Sequence, residues 1–168
     1  MEMNRMLPWL TASVVVALAC AIAVAPAASG DPLTKCASVA PRLAAPSGGH
    51  SGSLVRVGAR SLLLCRYNGL NLAATARRLR SSRQVTARRE IAALAAELNA
   101  LPSLPKLVNC PFDDGREIVA TFAYENGDVV VQIGLTGCRV VRGSRPPVRT
   151  ASSPGGRRLL ADLAALVP

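Results

Sequence analysis

CPFDDGREIVATFAYENGDVVVQIGLTGC, residues Cys110 to Cys138, begins and ends on cysteine and carries Asn126-Gly127 near its middle. Asn-Gly favours a two-residue type I′ turn because both central positions need positive φ. With that turn Glu125 faces Asp128, and the register can be read outward. Ile118 meets Leu135, Ala120 meets Ile133, Phe122 meets Val131 and Tyr124 meets Val129, all on one apolar face, because side chains alternate along a strand. The opposite face holds Glu117 against Thr136, Thr121 against Gln132 and Ala123 against Val130, and is more polar. A one-residue slip would mix the two sets, so pattern and turn point to one register.

An apolar sheet face needs a cover, and the preceding segment supplies one. Ile91, Leu94, Ala95, Leu98 and Leu101 recur at the spacing of a single helical face, with Thr86 as the expected cap and Pro102 and Pro105 as the stop. Further upstream, LVRVGARSLLLCRY (54–67) reads as extended, either one bulged strand or a short hairpin turning at Gly58. NGLNLAATARRLRSSRQV (68–85) reads as a loop with a short turn of helix. Beyond the hairpin, 143–156 has the composition of a linker, and RRLLADLAALV (157–167) reads as a C-terminal helix with Leu159 or Leu160, Leu163, and Leu166 or Val167 inward. The expected order is strand, helix, strand, strand, helix. That is an α+β fold: a small antiparallel sheet with a central Asn-Gly hairpin, one long helix and a C-terminal helix packed on it.

The N-terminus speaks to compartment. Arg5 precedes an apolar run, Met6 to Val24, and then Ala25-Pro26-Ala27, the small-residue pattern of a signal-peptidase site. The expected organisation is a signal peptide at 1–27, a flexible lead-in at 28–53 and one domain at 54–168, in a secreted or cell-envelope protein. An uncleaved membrane anchor is the first alternative. Lipidation at Cys20 is the weaker one, since the chain stays apolar after it. Removing the leader also removes Cys20 and leaves Cys36, Cys65, Cys110 and Cys138, an even set suited to two disulfides. In the hairpin register Cys138 falls opposite Gly115, and the Pro111 to Gly115 turn can carry Cys110 back to it. Cys36 then pairs with Cys65 by elimination.

Charge narrows the partner class. The formal net charge is +10, yet aromatic residues are only 3% of the chain, so stacking platforms for nucleic acid are missing. All basic residues except Lys35 and Lys106 are arginine. The densest group is Arg77, Arg78, Arg80, Arg83, Arg88 and Arg89, a candidate interaction patch for an anionic envelope polymer or a secreted protein.

Catalytic patterns fail on inspection. Gly49-His50-Ser51-Gly52-Ser53 approaches a nucleophile elbow, but Ser53 replaces the final glycine and the only histidine would be the elbow's filler. Asp113-Asp114-Gly115 with Glu117 lacks the spaced oxygens of a calcium loop and reads as a turn. No C-x-x-C occurs. With no nucleophile, base and oxyanion donor grouped together, the expectation is a non-enzyme without cofactor or metal. It would be a binding domain or, alternatively, a proteinaceous inhibitor of an extracellular hydrolase.

Cys65-Arg66-Tyr67, Gly69-Leu70-Asn71, the LNALP at 98–102, Cys110-Pro111, the acidic glycine turn and Gly137-Cys138 together resemble small exported proteins of high-GC Gram-positive bacteria. The resemblance covers about residues 60 to 142. It implies an exported, disulfide-bonded domain and no particular activity.

The first expected outcome concerns the leader. N-terminal sequencing of the exported protein should start near Ala28; recovery of an intact Met1 in the membrane fraction alone would replace the signal peptide with an anchor.

Overall fold

The computed structural model describes residues 35–44, 52–70 and 73–168. The leader and His50 lie outside the described residues. Among the described residues six strands form one antiparallel sheet: β1 Ser61–Tyr67, β2 Leu79–Val85, β3 Glu117–Ala123, β4 Val129–Gly134, β5 Val140–Gly143 and β6 Val148–Thr150, in the order β2-β1-β3-β4-β5-β6. Helix α1, Arg88–Ala100, links β2 to β3, and α2, Pro154–Leu166, follows β6. The α+β class and both helices are as the pattern requires, but the sheet has three strands the pattern does not show.

Those three share a cause. In β2, LRSSRQV, only Val85 is buried, so no alternation marks it; it is held sideways by β1 along Leu62↔Val85 to Arg66↔Ser81. β5 and β6 are short, and β6 lies inside the segment read as a linker, 143–156. The chain at 54–60 is neither a longer strand nor a hairpin. Val55 is buried against α1, where Asn99 receives the Val55 N–H at 3.1 Å and donates to its carbonyl at 2.7 Å.

One sheet face carries the main core. Leu62, Leu64, Ile118, Ala120, Phe122, Val131 and Ile133 meet Ile91, Leu94, Ala95 and Leu98 of α1 and Leu159, Leu160 and Leu163 of α2 in one buried cluster. The α1 stripe is therefore as expected, but Thr86 does not cap it: the N-cap is Ala87, with no side-chain bond. α2 starts earlier than expected because Ser153 Oγ accepts from Gly156 N at 3.1 Å and Pro154 occupies the first turn.

The hairpin register differs from the sequence reading by two residues. Ile118 pairs with Ile133, Ala120 with Val131 and Phe122 with Val129. Asn126 is not among the residues with positive φ, whereas Gly127 has φ +96°, so the turn is not type I′. Tertiary contacts open it into a longer loop. Tyr124 donates to Arg56 O at 2.6 Å with the Arg56 guanidinium 4.7 Å above its ring, and Glu125 pairs with Arg60. An even shift leaves every side chain on its expected face, which is why the core is right although the pairing is not.

The second face is not open either. Residues of the lead-in lie on it: Cys36 and Ala40 join Leu63, Cys65, Tyr67 and Val119 in a smaller buried cluster, and Tyr67 donates to Ala37 O at 3.1 Å. An apolar groove of about 380 Å³ remains there, lined in part by Pro41, Leu43, Leu63 and Val130. The disulfides are Cys36–Cys65 and Cys110–Cys138, with Cα atoms 5.8 and 4.9 Å apart. Such bonds belong to chains that mature outside a reducing cytosol. Among the described residues, no helix is long and apolar enough to cross a membrane.

Two adjacent glycines give an opposed pair of outcomes. A Cβ at Gly155 meets nothing within 4 Å, whereas one at Gly156 would lie 2.6 Å from Ala151 Cα. Gly155→Ala should raise unfolding stability by up to about 1 kcal/mol through helix propensity, while Gly156→Ala should lower it through backbone overlap, both read by urea denaturation.

Candidate interaction surface

The residues between α1 and β3 run from one sheet edge to its middle, and three anchors fix their path. Leaving α1, the chain lies along β6, with Thr150 N donating to Pro102 O at 2.9 Å and Leu104 N to Val148 O at 3.1 Å. Cys110 is then tied to Cys138 in the β4–β5 connection. The third anchor is the acidic turn. Asp113 accepts from Gly115 N at 2.9 Å and Asp114 from Arg116 N at 3.0 Å, while Thr136 Oγ1 lies 2.8 Å from Asp113 Oδ1 and 2.7 Å from Asp114 Oδ1. Burial pushes the Asp114 carboxyl up, but the Arg116 N–H, the Thr136 hydroxyl and the Arg116 guanidinium together hold it below its ordinary value. These carboxylates build a turn; Gly137 must be glycine beside it, since a Cβ there would lie 2.7 Å from Asp113 Cβ.

Between the anchors, every residue from 105 to 113 is exposed. Three of these are large and apolar: Leu107 is 94% exposed, Phe112 77% and Val108 47%. Among the described residues, no backbone–backbone hydrogen bond involves 105–113. Pro105 and Pro111 explain part of this, having no N–H and resisting helix or ladder. Leu70, itself exposed, packs at the far end, its Cγ 2.8 Å from where a Gly115 Cβ would stand. The result is a loop with free backbone groups and an apolar tip, covalently fixed at its centre.

Of the six arginines, Arg77 stands apart from the other five. Arg77 has φ +56° and turns inward, donating to Ala40 O at 3.0 Å and lying 3.4 Å from Glu117 Oε1. Arg78 bridges to Val39, Arg80 and Arg83 are exposed on β2, and Arg88 and Arg89 open α1. Cys36, Cys65, Cys110 and Cys138 are all engaged in the two disulfides. The loop escaped the sequence reading, although its signal is there: PKLVNCPF puts three large apolar residues where prolines forbid the regular structure that would bury them.

Glu117 is a separate polar centre. Its carboxylate accepts from Gln132 Nε2, and Gln132 Oε1 in turn accepts from Arg142 Nε at 3.0 Å and Nη2 at 2.9 Å. With Arg77 this relay ties the lead-in at Ala40 to the middle of the sheet. Among the described residues, no group of three or more His, Cys, Asp or Glu side chains is placed to hold a metal ion. No family model, curated protein or solved structure matches the chain.

Burial raises the Glu117 carboxyl above its ordinary value, outweighing Gln132, Arg77 and Arg142, which lower it. Ionising it therefore costs the fold stability. The cost is absent below the ordinary glutamate value of 4.5, appears as pH rises through it, and is complete above the raised value. Glu117→Gln keeps an acceptor for Gln132 without the charge. In urea titrations the wild-type midpoint should fall relative to that of E117Q as pH rises through this window; parallel curves would show that Glu117 is already comfortable as an anion.

Proposed function

We propose that this chain is an exported, non-catalytic binding module of the secreted or envelope compartment, and that it reads a protein partner through loop 105–113. The leader pattern and the two disulfides support the compartment. The reading is carried by one observation: nine consecutive exposed residues, three of them large and apolar, held without backbone partners on a disulfide. Burying a side chain such as Leu107 or Phe112 is worth about 1.5–3 kcal/mol, and a partner's cleft is the place where a folded chain gains it. The exposed apolar tip favours protein over polymer, since an anionic polymer would be met by charge instead.

A second reading is inhibition of an extracellular hydrolase. Its support is that the same segment leaves its N–H and C=O groups free to pair with the walls of an enzyme cleft that takes extended chains. In this reading loop 105–113 is the segment presented to the enzyme.

The test compares variants in pull-downs from envelope and culture fractions. A Leu107→Ala, Phe112→Ala double variant should lose a partner that the wild type and an Arg80→Glu, Arg83→Glu variant both retain. If the loop variant retained every partner that the wild type captures, the assignment would be overturned. Screening the wild type against secreted proteases and β-lactamases separates the readings: stoichiometric inhibition abolished in the loop variant supports the inhibitor.

A further inference from the structure

We propose that the outer edge of β2 is a docking edge that accepts an extended, acidic polypeptide segment as an added strand. The two sheet edges are treated differently. At β6 the chain's own residues 102–104 lie alongside and satisfy the ladder at Val148 and Thr150. At β2 the cover stops early. Val39 bridges Arg78, Ala40 N donates to Arg77 O at 2.8 Å, and Leu79 N donates to Ser38 O at 2.9 Å. Arg80 is the extra residue of a bulge between the Leu79↔Tyr67 and Ser81↔Arg66 pairs, and from Ser81 to Val85 no strand or bridge lies on the outer side among the described residues.

An edge of this kind presents backbone donors and acceptors in register for another chain. Its side chains decide which chain. Ser81, Ser82 and Gln84 carry no charge, while Arg80 and Arg83 are exposed within the strand and Arg78, Arg88 and Arg89 are exposed at its two ends. The Arg66 guanidinium, on the neighbouring strand, is held below its ordinary value by burial first and then by the charges of Arg80 and Arg116. A second copy of this chain is disfavoured by the same charges, because like charges across a ladder repel. A neutral strand gains no contact with them. Carboxylates alternating along an extended backbone satisfy both the ladder and the guanidiniums, as hydrogen bonds between ionised partners.

The test uses the disulfide-bonded protein and a synthetic peptide alternating glutamate with valine. Binding by fluorescence anisotropy should weaken about tenfold or more between low and physiological salt, and hydrogen exchange of the amides of residues 80–85 should slow by about tenfold or more. The same peptide with alternate amides N-methylated keeps its charge but cannot form a ladder, and should lose binding. Arg80→Glu with Arg83→Glu should abolish binding of the glutamate peptide and create binding of a lysine–valine one, which also shows that the variant is folded. Equal binding of the N-methylated peptide, or a polyanion competing without any protection of β2 amides, would reduce the edge to a charged surface and overturn the proposal. So would absence of peptide binding.

Discussion

Burial of the alternating apolar face of β1, β3 and β4 beneath the two helices is the interaction on which everything else depends. Phe122, Leu62, Leu64, Ile118, Val131 and Ile133 are all essentially without solvent contact, and α1 and α2 deliver Ile91, Leu98 and Leu163 to the same depth. At about 25 cal/mol per Å² of apolar surface removed from water, this is the dominant favourable term. It also makes the sheet a rigid platform. The loop from Pro105 to Asp113 can stay extended because each of its ends starts from an element held by this core.

The second face is built by different means. Among the described residues the cover there is a short stretch of lead-in, held by covalent and ionic ties as well as packing. Cys36–Cys65 fixes its start, the Tyr67 hydroxyl holds Ala37, and Arg77 joins Ala40 to Glu117. A bond closing a loop of 29 residues is worth roughly 3.5 kcal/mol in the chain-entropy model. The raised Glu117 carboxyl records the cost of placing a charge in this layer.

The two exposed surfaces, loop 105–113 and the outer edge of β2, arise where this economy of cover ends. Loop 105–113 crosses the end of the sheet, where Cys110–Cys138 replaces packing as the restraint and leaves Leu107 and Phe112 to solvent. The β2 edge lies beyond the reach of the 38–40 segment, and Arg80 and Arg83 are exposed along it.

Alternation from Ile118 to Ile133, the helical stripe from Ile91 to Leu98 and the spacing of four cysteines were legible in the chain, because side-chain periodicity and covalent reach are local properties. They determined the α+β class, the faces of the hairpin, the packing of α1 and both disulfides. The tertiary structure alone decided what depends on distant neighbours. β2, β5 and β6 exist because adjacent strands offer them backbone partners, and backbone pairing leaves no mark on side-chain pattern. The two-residue displacement of the hairpin was equally invisible, since a period of two cannot distinguish registers that differ by two; Arg56 and Arg60, brought to Tyr124 and Glu125 by the fold, made the choice. Exposure of Leu107 and Phe112 belongs to the same class, because whether an apolar side chain is covered depends on what the rest of the chain brings to it.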